Sequence, residues 1–433
     1  AIKRLHPGSA PGVDGITVEH ILYCHPILVS ILLRMFRLMY QFSIVPQSFC
    51  QSYVVPVPKS KDGTACKSVD DFRGISVNSL VAKLFELCLL DRFYKFLHTT
   101  DQQFGFKKGH STVHAIFTLR KVVEHFNAKG STVSICTLDI SKAFDKVDHN
   151  ILLMKLMDRR LPGRLIDLVE YWLRHSSARV KWYRFLSELF TINCGVRQGS
   201  CLSPILFSVY IDNIVGLCKD IMIEPWSILL YADDMLLISL SLTRLQENVN
   251  TVNDYLHSIG LSLNTSKSSF IRIGPRFSCT CEPISLHNGD SILQVEQIMY
   301  LGVCFKQAKR FRCVFDTAKT AFSKAANGIF GKLLGKASDE CLLYLLDTNC
   351  MPILLYGIEA VPVANFDIHS LDFWTIRFLF KLFKCFDKSV AIECAGYFGF
   401  MLPSYVIQAR CERFYARYKS SNNSICNFVS LYY

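Results

Sequence analysis

No Cys-x-x-Cys pair occurs anywhere in the chain, although it holds 18 cysteines. The closest two are Cys279 and Cys281, so neither a zinc knuckle nor a thioredoxin-type site is supported. Scattered thiols of this kind fit buried free cysteines in a reducing, intracellular compartment. The chain also lacks a strongly apolar, uncharged run of eighteen residues. Its best stretches are broken by Arg34, Arg37 or the pair Asp233-Asp234, so no membrane span is expected. Internal repeats, low-complexity blocks and long Gly/Ser/Pro linkers are missing too, which excludes solenoids and loosely tethered modules. The opening AIKRLHPGSAPG has no initiator Met and no signal-like apolar region. It reads as a fragment of something longer.

What is present is a large apolar reserve. Half of the 433 residues are hydrophobic and Phe occurs 32 times, enough for two or three packed subdomains and against disorder. The net charge of +12 is unevenly spread. Residues 1–130 carry 16 Lys/Arg against 9 Asp/Glu, residues 131–300 carry 16 against 17, and residues 301–433 carry 16 against 10. Two basic flanks around a near-neutral middle suit a polyanion gripped from both sides.

Apolar spacing predicts helices over 27–40 and 79–98, with VVPVPKSKDG between them as a short strand running into a turn. Residues 131–140 read as a buried strand, followed by helices around 149–160 and 163–175 and a strand hairpin over 178–194. Pro204 opens an amphipathic helix, PILFSVYIDNIVGL. A helix over 243–258 precedes the strand KSSFIRIG, and Asn288-Gly289 signals a two-residue hairpin. Beyond about residue 310 the patterns are mainly helical. This order describes an α+β core with antiparallel strands and helices on one face.

Residues 227–240, SILLYADDMLLISL, place Asp233 and Asp234 in the most water-averse stretch of the chain. Two like charges buried together cost several kcal/mol each unless something compensates them. The alternatives are an exposed acidic turn or a bound cation. Asp139 ends the apolar strand STVSICTLDI, 94 residues earlier. If the two strands are sheet neighbours, three carboxylates converge, and they cannot all stay ionised and dry without cations. Mg²⁺ prefers such hard oxygens and retains waters and substrate phosphates in its shell. Two ions roughly 3.5–4 Å apart can activate a 3′-hydroxyl and stabilise a leaving pyrophosphate. The pattern is thus polymerase-like from its chemistry.

CTLDISKAFDKVDH, GVRQGSCLSP and LLYADDMLLIS, in this order, resemble the A, B and C motifs of reverse transcriptases of non-LTR (LINE-type) retrotransposons. APGVDGITVEHI, VPVPKSKDG, DFRGISVNSLVAKLFE and QFGFKKGHST resemble the blocks that precede them, and GLSLNTSKSS, YLGVCF and LLYGIEA those that follow. The resemblance covers about residues 8 to 380. It implies a right-hand polymerase of fingers, palm and thumb, with an antiparallel palm sheet packed on helices and a mainly helical thumb region. The divisions expected are an N-terminal extension over 1–52, fingers and palm over 53–305, and a helical thumb and C-terminal region over 306–433.

The resemblance also implies roles. Asp139, Asp233 and Asp234, with the backbone carbonyl of Ile140, match the ligands of two Mg²⁺ ions, for which Mn²⁺ could substitute. Lys59 and Arg73 match the finger residues that hold the incoming triphosphate, although either could be a solvated surface charge. Gln198 and Gly199 match the segment packed against the nascent base pair. Lys267 matches the proposed proton donor to pyrophosphate, or is simply exposed. Leu301 and Gly302 match the primer-grip turn, or an ordinary hairpin. Phe144 matches the aromatic wall against the ribose, or is a core residue. His110 and His149 each precede a helix and are not expected to be catalytic. Gly74 stands where many relatives have proline, which alters local stiffness more than chemistry.

The implied activity is copying an RNA template into DNA from dNTPs on a DNA primer or target, in the nucleus. No endonuclease domain is expected within this fragment. Rivals are an RNA-templated RNA polymerase, disfavoured because Phe144 stands where such enzymes carry an acid, and group II intron or retron enzymes, whose version of VRQGSCLSP is less similar. A catalytically inactive or domesticated relic that only binds RNA remains an alternative.

Overall fold

The computed structural model describes residues 1–59, 67–218, 223, 226–333 and 335–432. The turn expected at the end of VPVPKSKDG, over 60–63, lies outside the described residues. The chain divides into two compact units whose segments interleave. The first comprises residues 1–106, 140–217 and 252–263, and the second residues 107–139, 218–251 and 264–433.

In the first unit the strand Gln51–Pro58 pairs antiparallel with Phe72–Asn78 and parallel with Ser177–Trp182. Ser177–Trp182 in turn pairs with the short strands Phe185–Leu186 and Phe190–Thr191. Helices Ile27–Phe42, Leu80–Phe93, His149–Asp158, Gly163–Arg174 and Ser203–Ile211 complete the unit. Their starts follow from side chains. Asp148 Oδ1 accepts from the Ile151 amide at 2.9 Å, and Pro204 occupies the first turn of its helix, where no amide is needed.

In the second unit a six-stranded sheet runs in the spatial order Ile284–Ser285, Ser291–Gln294, Ser269–Ile273, Val133–Leu138, Asp234–Ser239 and Ile228–Tyr231. Its central strands are almost wholly buried, with Ile135, Leu138, Leu236, Ile238, Phe270 and Ile271 in the core. A smaller sheet joins Gln297–Tyr300, Val303–Lys306 and Cys313–Val314. Helices make up most of the remainder, from Asp316–Leu333 to Ser424–Tyr432. One helical stretch, Asp339–Ala360, is apolar and long enough to cross a membrane (mean hydropathy 1.5), yet half of that window is buried within the protein.

The sheets are mainly antiparallel, with two departures. Gln51–Val54 runs parallel to Ser177–Val180, and Leu293-Gln294 parallel to Ser269-Phe270. Apolar alternation marks a strand but carries no direction, and the long helical crossover after Val54 permits the parallel pairing. A second correction concerns Asn288-Gly289. Ile284–Ser285 pairs with Ser291–Ile292, so the loop is longer than two residues. The Gly289 amide donates to the Leu286 carbonyl at 3.0 Å, and only Gly289 takes a positive φ, 86°. This is a turn closed by a left-handed glycine.

The first unit's core contains one charged knot. Glu86 is 3% exposed, and its Oε2 accepts from the amides of Cys201 at 2.6 Å and Leu202 at 3.3 Å. Arg197 donates to the carbonyls of Phe49 (2.8 Å) and Cys50 and to Ser176 Oγ (2.9 Å). Burial pushes the Glu86 carboxyl up, opposed by hydrogen bonds from Ser200 and the Cys201 amide and by the Arg197 charge. Removing one member of such a buried network typically costs about 3–5 kcal/mol. Arg197→Leu is therefore expected to lower the chemical-denaturation midpoint sharply, and Glu86→Gln, which keeps an accepting oxygen, to lower it less. A midpoint for Arg197→Leu equal to the wild type would remove the knot from the folding core.

Candidate active site

The register of the second unit's sheet brings its acids together. Thr137 pairs with Leu236 and Leu138 with Met235. Continuing by one residue sets Asp139 opposite Asp234, and directly opposed residues share a face. Strands Ile228–Tyr231 and Asp234–Ser239 are joined by Ala232 and Asp233 alone, because Tyr231 pairs with Asp234. Ala232 has φ 58°, a left-handed conformation that usually calls for glycine. That two-residue turn holds Asp233 beside Asp234 at the sheet's end.

The electrostatics register this crowding. Asp234 keeps an open side to water, yet partial burial, then Asp233 and Asp139, push its carboxyl up to about 6. Asp139 is fixed through its backbone: its amide donates to Ser268 Oγ at 3.2 Å, and the Asn264 amide donates to its carbonyl at 2.8 Å. Its Oδ2 lies 3.7 Å from Lys267 Nζ, the ammonium otherwise being exposed. Among the described residues no three acids, cysteines or histidines stand close enough to share one ion as they are. The donor set nonetheless suits a hard divalent cation, being three carboxylates at one sheet end, close enough for Asp233 and Asp139 to raise the Asp234 carboxyl.

The same unit carries Leu301 and Gly302. Tyr300 pairs with Val303, so these two residues form the whole turn, with φ 47° and 81°. Both central residues being left-handed is the requirement of a type I′ turn, and leucine there is strained. Gly302 is needed for space as well, since a Cβ would lie 3.0 Å from Tyr356 Cε1. Tyr356 OH reaches Thr112 Oγ1 at 2.7 Å. Next to the turn, the Tyr300 hydroxyl is buried without a hydrogen-bond partner. Burial, then Asp234 and Tyr231, push its phenol up. Tyr300 and Tyr356 were not singled out from sequence, where only their places in YLGVCF and LLYGIEA marked them.

The first unit holds the remaining expected residues. Arg73 is exposed on Phe72–Asn78, opposite Val57. Lys59 lies just beyond the facing strand; its amide donates to the Asp71 carbonyl at 2.8 Å and its Nζ to the Asp70 carbonyl at 2.5 Å. Gln198 and Gly199 dock on the edge of the Arg73 strand. The Ser76 amide donates to the Gln198 carbonyl at 2.6 Å, and a Cβ on Gly199, at φ 130°, would lie 2.3 Å from the Ser76 carbonyl oxygen. Only glycine fits there. Gln198 Nε2 also donates to Asp145 Oδ1 at 3.0 Å, a partner not anticipated from sequence. Phe144 belongs to the same cluster. Its carbonyl accepts from the Val196 amide at 2.7 Å, and its half-buried ring stacks on Phe207 with centroids 4.7 Å apart. Ile140 is buried and bridges to Leu263.

The two histidines set aside have structural contacts. His149 Nε2 lies 2.8 Å from the Gly195 carbonyl, and His110 Nε2 lies 3.2 Å from Ser421 Oγ. The described cysteines are all free thiols.

Residues 57–305, more than half of the chain, match the reverse transcriptase (RNA-dependent DNA polymerase) family. The Pol polyprotein of the type-2 retrotransposable element R2DM of Drosophila melanogaster is 28% identical over 323 residues, covering 72% of this chain and 30% of that protein. The probable RNA-directed DNA polymerase from transposon BS of the same organism is 24% identical over 401 residues, covering 84% and 41%. The RNA-directed DNA polymerase from mobile element jockey is 24% identical over 382 residues, also covering 84% and 41%. The chain thus spans about a third to two-fifths of the length of these relatives. Among solved structures, apo telomerase from Candida tropicalis has a TM-score of 0.45 at 13% identity, covering 84% of this chain and 68% of that one. With more than half its length inside the family match and retrotransposon polymerases among its relatives, this chain belongs to the reverse transcriptases, in their LINE-type, non-LTR branch.

Proposed function

We propose that the chain copies an RNA template into DNA, adding dNTPs to the 3′-end of a DNA primer or target strand within the nucleus. The observation that supports this is the sheet register, Leu138 pairing with Met235, which brings Asp139 and Asp234 to adjoining strand ends with Asp233 beside them, near enough for Asp233 and Asp139 to raise the Asp234 carboxyl. Asp139, Asp233 and Asp234, with the Ile140 carbonyl, would hold two Mg²⁺ ions, which supply activation of the primer hydroxyl and neutralisation of the leaving pyrophosphate. The chain's own residues do the rest. Arg73, exposed on its strand, and Lys59 offer charge-assisted contacts to the triphosphate. The Gln198-Gly199 backbone, close-packed on Ser76, presents a flat surface to the new base pair. Lys267, already drawn toward Asp139, is placed to give its proton to a pyrophosphate oxygen. The Leu301-Gly302 turn would seat the primer end.

Phe144 sets the sugar. A ring at the ribose leaves no room for a 2′-hydroxyl and offers it no hydrogen bond. Its stacking on Phe207 fixes that ring rather than leaving it free to swing aside.

Two measurements test this reading. In primer extension on an RNA template with Mg²⁺ and dNTPs, Asp233→Asn is expected to slow addition by several orders of magnitude, through lost electrostatic stabilisation. A near-wild-type rate would show the carboxylates to be assigned wrongly. Phe144→Val should lower discrimination against ribonucleotides at least tenfold, about 1.4 kcal/mol, while dNTP incorporation survives. An unchanged ratio of the two incorporation efficiencies on one template would return Phe144 to the core.

A further inference from the structure

Two ammonium groups of the first unit converge on one acid. Lys142 Nζ lies 2.8 Å from Asp70 Oδ1, and Lys59 Nζ donates to the Asp70 backbone carbonyl at 2.5 Å. Asp70 sits in the single helical turn Val69–Asp71, directly before the strand that carries Arg73. Lys59 faces Asp71, its amide donating to that carbonyl at 2.8 Å, so it continues the ladder in which Val57 pairs with Arg73. Positions 57 and 59 share a face of the hairpin, and Arg73 shares it with them. Lys142 thus reaches, through Asp70, the hairpin end assigned to the triphosphate.

The backbone at Lys142 is disfavoured and fixed. It takes φ 50° and ψ 45°, a left-handed conformation that glycine adopts without strain. Its carbonyl accepts from the amides of Asp145 at 3.0 Å and Lys146 at 3.2 Å, and the Ser141 amide before it donates to the Ser262 carbonyl at 2.9 Å. The turn is held from both sides while the lysine side chain stays in the open. Strain that is not repaid by burying the side chain points to a role outside the core. In the chain Lys142 comes three residues after Asp139 and two before Phe144, the proposed metal ligand and sugar wall.

The Asp70 partner is weakly held. The two side chains of the pair are 62% and 72% exposed, and ion pairs so open to water contribute little to stability. A triphosphate brings several negative charges and many accepting oxygens, so it outcompetes a single carboxylate for an ammonium. We infer that Lys142 is a third contact to the triphosphate of the incoming dNTP, and that Asp70 occupies its ammonium until the nucleotide displaces it. This rests on the polymerase reading above and adds to Lys59 and Arg73 a residue of the A motif.

The test uses the full chain on an RNA template with a dideoxy-terminated DNA primer, which accepts no nucleotide. Binding of a base-labelled fluorescent dNTP with Mg²⁺ is read by anisotropy at fixed salt. Lys142→Gln is expected to weaken nucleotide binding tenfold or more, and Lys142→Arg, which keeps the charge, to retain most of it. Asp70→Asn, which frees the ammonium, should tighten binding threefold or more. In the Lys142→Gln background that gain should vanish, because no ammonium is left to free. A purely structural clasp predicts otherwise, since losing either partner would then weaken binding. Unchanged affinity in Lys142→Gln, unchanged or weaker binding in Asp70→Asn, or a gain that persists in the double variant overturns the inference. So does a Lys142→Gln chain that loses affinity for the primer–template instead of the nucleotide, since the lysine would then contact the nucleic-acid backbone. Extension of an unblocked primer by the wild-type chain is measured alongside, and nucleotide binding without extension refutes the polymerase reading alone.

Discussion

Like charges at the end of a buried sheet are the constraint on which this molecule turns. Three apolar strands, Val133–Leu138, Asp234–Ser239 and Ser269–Ile273, form a core that water does not reach. Asp139 and Asp234 stand where two of these strands stop, and Asp233 sits in the turn between. A sheet of this apolarity gains most by extending its pairing and least by ending in carboxylates. The raised Asp234 carboxyl records the conflict. Hard cations would relieve it, and without compensation the acids are a cost to folding.

Backbone held in disfavoured or tightly packed conformations recurs in each unit. Ala232 and Leu301 adopt left-handed conformations that their side chains disfavour, each in a two-residue turn of the same unit. In the first unit Gly199 is pressed onto a backbone oxygen, and the loop that carries it is tied down by Glu86 and Arg197. Strain of this kind persists where neighbours over-determine the geometry. Here it falls beside Asp233, at Gly199 and in the Leu301-Gly302 turn.

Much of this was legible from sequence for a physical reason. Val133–Leu138 and the run through Tyr231 are continuous apolar strands, and acids placed in them stand out whatever surrounds them. The motif order then named the family. Other features were not legible because they depend on partners distant in sequence. Arg197 and Glu86 lie 111 positions apart, and nothing local announces that they share a pocket. The parallel pairing of Gln51–Val54 with Ser177–Val180 is invisible to periodicity. Asn288-Gly289 looked like the tightest hairpin, yet among the described residues the two-residue turns include Tyr183-Arg184, Ala232-Asp233 and Leu301-Gly302, which lack its composition. Propensity yielded to the packing of the strands on either side.

The interleaving of the two units has a consequence for how the chain can be made. The first unit draws on residues up to 263 and the second on residues from 107 to 433. The backbone crosses from one to the other five times, once between Asp139 and Ile140, in the middle of the A motif. During synthesis from the N-terminus, the first unit cannot close until residues 252–263 have emerged, and by then two segments of the second unit are already present, with Val133–Leu138 and Asp234–Ser239 available to each other but Ser269–Ile273 still to come. Strand Val133–Leu138 waits longest: its neighbours Asp234–Ser239 and Ser269–Ile273 are made about a hundred residues or more after it. A nascent apolar strand left unpaired for so long is an aggregation hazard. The molecule therefore brings its three acids together by the same long-range pairing that makes its birth on the ribosome hazardous.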